Sequence, residues 1–394
     1  MKVLIKNGYH KSMKILHTSD LHIGRFLHEF PLIEDQEYIL NVLTDILIHD
    51  SYDVLLIAGD IYDRSIPSPE AVSLFSRFLG RLNREARNLS VLIISGNHDS
   101  QTRLGYGSEI FAEQRIHLCT DPLRAWEPLC LSAGGVTVDF YLVPFLPPGS
   151  YTDGEGEFLS GQGEMLAYAL AKAKATLRND HIPVLCCHSF ARGGIPSESE
   201  RIFVGSAEQV DPSLFGPFAY TALGHLHSLK QIAERTWYSG SPLSYSFSEA
   251  ESEKCFLSVH IGKDSVDVER IPIEPRRRVS RIEASFEELK GGRMFDDFAD
   301  DYLEIVLKNP EVVQNAALLL RAKFPYLLSV RQQAFENFSE PASEAVERTE
   351  GSILDDFLSF KIFLDGKAPD AETRDLFTKA LAEVSADETD QARS

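Results

Sequence analysis

The stretch Val91-Leu92-Ile93-Ile94-Ser95-Gly96-Asn97-His98-Asp99 joins four consecutive apolar residues to an abrupt polar turn. A short apolar run ended by Ser-Gly-Asn predicts a buried strand that stops at the glycine. Its polar end then lies at a carboxyl edge of the sheet, where open α/β sheets hold their ligands. Asn97 offers a neutral oxygen, His98 a titratable ring and Asp99 a carboxylate. Asn and Gly are also plain turn formers, so this stretch alone fixes no chemistry. The same design recurs along the chain.

Upstream, Lys14-Ile15-Leu16-His17 predicts a strand running into Thr18-Ser19-Asp20-Leu21-His22. Val54–Ala58 predicts another, ending in Gly59-Asp60-Ile61-Tyr62-Asp63. Between them a helix over about 34–49 gathers Ile39, Leu40, Leu43, Ile46 and Leu47 on one face. A second helix, behind Pro67 and Pro69, carries Leu74, Phe75, Phe78, Leu79 and Leu82. This alternation predicts βαβ units and a parallel sheet. Downstream, Val136–Val143 and Pro183–Cys187 read as strands, the latter ending at His188. Tyr220-Thr221-Ala222-Leu223 leads into Gly224-His225-Leu226-His227, with short strands around 237–238, 255–261 and 266–271. Met165–Leu177 reads as a helix. The expected fold class is α/β, two packed sheets with helices outside, over residues 13–272. Pro272–Arg278 marks a boundary, and 276–335 reads as a smaller α+β domain. In it Tyr302–Lys308 alternates with period two, and Val312–Phe324 has helical spacing up to Pro325. An acidic linker, 339–351, precedes a C-terminal helical pair within 352–385, with apolar stripes through Leu354, Phe357, Leu376 and Phe377.

The 394 residues, 43% of them hydrophobic, allow two or three domains. No run approaches the ~18 apolar residues of a membrane span, and the N-terminus lacks a signal-peptide core. Met13 reads as a more natural start than Met1. Five cysteines without CxxC spacing argue against a disulfide framework or a cysteine zinc site, and imply a reducing cytoplasm. Cys186 and Cys187 read as packing residues. The net charge of −20 is awkward for a phosphate binder unless local basic patches, metals or a second protein supply attraction. The excess is uneven: residues 335–394 hold fifteen Asp and Glu against six Lys and Arg. Arg276-Arg277-Arg278 reads as a solvated charge run.

Five strand ends thus carry metal-type ligands: Asp20 with His22, Asp60 with Asp63, Asn97 with His98, His188, and His225 with His227. In an extended segment residues two apart point the same way, so Asp20 and His22 are expected to share a site, as are His225 and His227. Carboxylate, imidazole and amide oxygen suit manganese, iron or zinc better than a soft metal. The donors are too many for one ion; they suit two, bridged by a carboxylate and a hydroxide, a geometry that clamps entering and leaving oxygens at phosphorus. His10, His28, His49, His117, His181 and His260 have no ligand partner at useful spacing, and His17 falls on the opposite face from Asp20.

The ordered set Asp20-x-His22, Gly59-Asp60-x-x-Asp63, Gly96-Asn97-His98-Asp99, His188 and Gly224-His225-x-His227 resembles the calcineurin-like metallophosphoesterase family. That family implies a two-sheet αββα sandwich with a smaller capping domain. Residues 15–22, 96–100 with Arg103-Leu104, 197–201 with Val204-Gly205, 220–227, 238–243, Asp301-Tyr302 and Leu320–Pro325 resemble one branch, the SbcD nuclease subunits. Ser239 and Ser228 depart from the pattern of that branch, where Pro and Arg are usual. The resemblance implies that Asp20, His22, Asp60 and His227 hold one metal and Asp60, Asn97, His188 and His225 the other, both ions divalent, with manganese the first candidate. His98 would protonate the departing 3′ oxygen, and Asp63 and Asp99 would orient rings from behind the ligands. It further implies a 3′→5′ double-strand exonuclease and a single-strand or hairpin endonuclease in DNA repair and recombination. The partner would be an SbcC-type ABC ATPase, docked by the C-terminal helices, with a homodimer of this chain in a heterotetramer. One alternative is a stand-alone phosphoesterase acting on nucleotides or phosphoproteins, which has no use for the extra domain. Another is a binding scaffold, which has no need of a complete ligand set.

Overall fold

Ser90–Ile94 forms a strand with all five residues buried and a parallel neighbour on each side. The computed structural model describes residues 12–152, 156–159, 161–194, 197, 209–333, 373–374 and 376–378. The first sheet runs Val266–Pro272, Cys255–Gly262, Ser12–Thr18, Val54–Ala58, Ser90–Ile94, Ile116–Cys119. Its last four strands are parallel, and Cys255–Gly262 pairs antiparallel with Ser12–Thr18. The second sheet runs Lys230–Ala233, Thr236–Tyr238, Tyr220–Gly224, Ile182–His188, Val136–Val143, Leu129–Ala133.

The two sheets face each other across an apolar layer that includes Ile15, Leu56, Leu92, Phe140, Val184, Ala222 and Leu257. Strand alternation divides the work: Val54, Leu56 and Ala58 enter this layer, while Leu55 and Ile57 meet the helices outside. Each fully buried aliphatic side chain contributes roughly 1.5–3 kcal/mol, which is why both faces of these strands are apolar. Helices Ile33–His49 and Pro69–Glu85 cover the outer face of the first sheet, and Gln162–Ala175 that of the second. Ser68 caps the second helix through the Ala71 amide, with Pro69 opening it. The result is an αββα sandwich, as the fold class expected.

Three parallel strands, Val279–Ala284, Tyr302–Leu307 and Leu327–Gln332, form a smaller sheet with helices Phe286–Gly291 and Ala316–Leu320 in its connections. Its own core includes Ile282, Leu289, Ile305, Leu320 and Phe324. Two details differ from the sequence reading. Tyr302–Leu307 is buried on both faces rather than alternating, with Glu304 tied to Arg281. The helix expected over 312–324 shrinks to Ala316–Leu320, because Asn315 takes a left-handed backbone (φ 56°) and the Gln332 side chain holds Val313.

Of Arg276-Arg277-Arg278, the outer two are exposed, as a solvated charge run predicts, and Arg277 alone is drawn in. Arg276 pairs with Glu34, Arg277 packs on the Tyr326 ring, and Arg278 pairs with Asp301. All five cysteines are free, and Cys186 and Cys187 are fully packed. Among the described residues no helix is long and apolar enough to cross a membrane. Residues 335–394 form a second unit. The acidic linker and the helical pair lie outside the described residues, apart from five positions that include an exposed Leu376.

Candidate metal centre

Parallel strands bring their carboxyl ends to one edge. Five such ends meet here: beyond Thr18, Ala58 and Ile94 in the first sheet, and at His188 and Gly224 in the second. Asp20, His22, Asp60, His188, His225 and His227 are all buried. Nε2 of His22 and Nε2 of His227 face each other at 3.1 Å. Asn97 Oδ1 lies 3.0 Å from His188 Nε2 and 3.0 Å from His225 Nδ1. Asp60 stands between the two sets, its Oδ2 3.6 Å from His22 Nε2 and 3.5 Å from His188 Nε2. Donor atoms of Asp20, His22 and His227, and of Asp20, Asp60 and His188, lie within 4.8 Å of one another. The structure thus brings the seven expected donors into one cluster with a carboxylate at its centre.

The backbone that achieves this is not the extended one expected. Asp20 (φ 53°), His22 (φ 42°), Asp60 (φ 50°) and His225 (φ 108°) all have positive φ. Asp20 and His22 therefore converge through turned backbone, not through strand alternation. Such conformations cost of order 1 kcal/mol or more each, and persist where surroundings hold them. Here Asp20 N–H donates to Gly59 O, His22 N–H to Asp60 O, and His225 N–H to the Asp20 carboxylate. Two glycines permit the approach. A Cβ on Gly96 would sit on the Asp60 carboxylate, and one on Gly224 would strike the Ala58 carbonyl across the sandwich.

The electrostatics suit a cation. Burial pushes His22 and His225 down to about 3, so both rings are neutral and have lone pairs to give. Burial would also lower His188, but Asp60 outweighs it and lifts the ring to about 9. Burial would raise Asp60, yet His188 and then His98 hold it well below the carboxylate range. His188 Nδ1 is satisfied by Ala58 O at 2.8 Å, which aims Nε2 into the cluster. His225 Nε2 is buried without a partner. Neutral imidazoles at His22 and His225, a central carboxylate and an amide oxygen fit divalent ions of the hard-to-borderline class. Such ions, when bound, polarise a phosphoryl oxygen and generate a nucleophile from water near neutral pH.

His98 stands beside the cluster. Its backbone N–H donates to Asp60 Oδ1 at 2.9 Å, its Nδ1 meets Asp63 O at 2.8 Å, and its ring lies edge-on to His22. The Asp63 carboxylate is 3.6 Å from His22 Nδ1 and accepts Arg25 Nη1 at 2.7 Å. Asp99 differs from expectation: its oxygens hold no ring but accept the backbone N–H groups of Ile61, Tyr62 and Gly96. It laces the Asp60 loop to the Asn97 loop.

Several contributors escaped the sequence reading. Glu249 is buried with Oε1 3.3 Å from His227 Nδ1, and its Oε2 meets Lys254 Nζ at 2.8 Å. Nothing in the Ser- and Glu-rich segment 246–254 announces this. Gln36 holds the His22 loop: its Nε2 donates to His22 O at 2.7 Å and its Oε1 accepts Gly24 N–H at 2.9 Å. Its signal is visible afterwards, a polar residue in line with the apolar stripe Leu40, Leu43 and Leu47. His181 does have a partner, Asp139 at 2.9 Å, with Cys130 3.7 Å away. Arg178 occupies both oxygens of that carboxylate, so this group is an ion-pair cluster far along the strand from the metal edge. His17 bonds Tyr220 between the sheets. His10 lies outside the described residues.

The fold and this donor set define a metal-dependent phosphoesterase. A family model described as "Calcineurin-like phosphoesterase" matches residues 13–203. Over 356 residues the chain is 32% identical to the SbcD subunit of nuclease SbcCD from Staphylococcus saprophyticus subsp. saprophyticus, covering 88% of this chain and 92% of that protein. Among solved structures, TT1561 of Thermus thermophilus is 13% identical, with a TM-score of 0.39, covering 66% of this chain and 99% of that one. A dimetal phosphatase from Danio rerio is 11% identical, with a TM-score of 0.39, covering 67% of this chain and 97% of that one. On the sequence matches, the chain belongs to the SbcD nuclease-subunit branch of the calcineurin-like metallophosphoesterases, and it is a metal-dependent hydrolase.

Proposed function

We propose that this chain is a DNA nuclease subunit that hydrolyses phosphodiesters with two divalent metals, manganese first among them. One observation carries the reading: seven donors from five strand ends cluster with the Asp60 carboxylate at their centre, in a chain 32% identical to a nuclease subunit. Asp20, His22, Asp60 and His227 hold one ion, and Asp60, Asn97, His188 and His225 the other. His98, oriented at Nδ1 by a carbonyl, presents its ring to the leaving 3′ oxygen and acts as general acid. Asp63 and Asp99 hold the ligand loops. The activity is 3′→5′ exonucleolytic on duplex DNA and endonucleolytic on single strands and hairpins, in cytoplasmic DNA repair and recombination.

The partner is an SbcC-type ABC ATPase, in a heterotetramer with two copies of this chain. Residues 352–385 dock that ATPase through their apolar stripes, and 276–335 form a domain that guides DNA. The test is incubation of the purified chain with manganese and end-labelled hairpin DNA, beside a generic phosphomonoester. Hairpin opening with little monoester turnover supports the reading. Monoester turnover without DNA cleavage supports the stand-alone phosphoesterase instead.

A further inference from the structure

Two adjacent residues at the start of helix Ile33–His49 face different parts of the molecule. Asp35 and Gln36 are both buried, in a first turn whose N-cap, Leu32, makes no side-chain cap. Asp35 reaches the small sheet: Tyr302 O–H donates to its Oδ2 at 2.6 Å, and Arg277 Nη1 lies 3.7 Å from its Oδ1. Arg277 also packs 4.3 Å from the Tyr326 ring and donates to its hydroxyl. Phe30 fills the angle between Tyr302 and Tyr326. Gln36 reaches the other way, to His22 O, Leu21 O and Gly24 N–H, and so clamps the loop whose left-handed turn aims His22 into the cluster.

We propose that the small sheet positions His22, with Tyr302, Asp35 and Gln36 as the connection. A rigid first helical turn places both side chains on one frame, so a shift of Asp35 moves the Gln36 amide and, through its hydrogen bonds to His22 O and Gly24 N–H, the loop that carries His22. These are positioning residues. The inference rests on His22 being a metal ligand, as proposed above, and not on DNA being the substrate.

The experiment uses the full chain with manganese and bis(p-nitrophenyl) phosphate, a diester too small to need a DNA-guiding domain. Manganese affinity is read by titration calorimetry and by the electron paramagnetic resonance of coupled ion pairs. Gln36→Ala weakens manganese binding about 10-fold, the range for residues that orient a ligand. Tyr302→Phe, which removes one hydroxyl from the small sheet, weakens it about 3-fold and lowers kcat with KM unchanged. In the double variant the losses are less than multiplicative, because both changes cut one connection. Gln36→Glu keeps the acceptor for Gly24 N–H but turns an acceptor toward the His22 and Leu21 carbonyls, so it restores none of the loss. His22→Ala is the control for the ligand assignment. If His22→Ala loses metal while Tyr302→Phe and Asp35→Asn keep wild-type affinity and kcat, the connection is refuted and the ligand stands. If His22→Ala itself keeps both ions, the ligand assignment falls and the inference with it. Multiplicative losses in the double variant also overturn it.

Discussion

Replacing Glu249 by Gln keeps the shape of a buried side chain and deletes its charge. Lys254 Nζ, only 7% exposed, then loses its counter-charge at 2.8 Å. Removing one partner of a buried pair costs about 3–5 kcal/mol. Lys254 keeps two neutral acceptors, His227 O and Ser241 Oγ, each at 2.9 Å, so the lower part of that range applies, about 3 kcal/mol. For a unit of roughly 320 residues the unfolding entropy corresponds to about 0.7 kcal/mol per degree, so the melting temperature of the metal-free protein falls by about 4 °C.

His227 also loses the carboxylate that faces its Nδ1 and supports Nε2 as the donor, which weakens manganese binding about 10- to 100-fold. Burial would raise the Glu249 carboxyl, but Lys254 and then His227 hold it well below its ordinary 4.5. A carboxyl with a depressed folded pKa stabilises in full above the unfolded value, and that stability is lost as pH falls through the folded value. The melting deficit of Glu249→Gln is therefore largest near neutral pH and narrows below about 4.5. Scanning calorimetry at pH 7.5 and pH 4, with manganese titration at pH 7.5, measures both. A variant that melts within 1 °C of wild type at neutral pH and binds manganese equally well would refute the role given to Glu249 (about 1 °C being the resolution such scans need against the ~4 °C expected).

Three other outcomes are expected. Asp60→Ala removes the carboxylate shared by both donor sets, so elemental analysis should find neither ion retained; two ions per chain would contradict the bridging role. His98→Ala should keep metal and lose cleavage by about 10²–10⁴, whereas joint loss of metal and activity would make it a ligand. Truncation after Glu340 should leave manganese-dependent cleavage of short DNA intact and abolish co-purification with the ATPase; a truncated chain that melts far lower yet still captures the ATPase contradicts the docking role.

The sandwich was legible because its strands are short, wholly apolar and ended by glycine, as in Val54–Gly59 and Val91–Gly96. Val136–Val143 matches its predicted span, and the helix predicted over 34–49 begins one residue earlier. The edge strands Lys230–Ala233 and Leu129–Ala133 were not legible, since each is only four or five residues long, part-exposed, and lacks the four-residue apolar run of the central strands. The small sheet misled because Glu304 and Asn315 break the expected periods. Glu304 is buried only because Arg281 pairs with it, and Asn315 turns the chain left-handed where the spacing predicts helix. Both depend on partners that sequence spacing does not encode.

The donors were legible as residue types, but not the manner of their convergence. Asp and His tolerate left-handed backbone better than branched side chains do, and four of the seven donors use that tolerance. A turned donor leaves the strand axis, which lets residues from two sheets meet at one point that extended alternation could not reach. The conformation has to be held, and two residues that hold it are ones the sequence hid, Gln36 on the His22 loop and Glu249 behind His227; Asp99 stood in the motif, but its hold on three backbone amides did not. Gln36 and Glu249 are polar groups placed in otherwise apolar or ordinary segments, and all three residues act on backbone or on the outer nitrogen of a ring. The same logic bears on the charge of −20. Asp20, Asp60, Asp99 and Glu249 are buried carboxylates used to build the site, so part of the acidity that stands against a phosphate substrate is the material that gathers its cations.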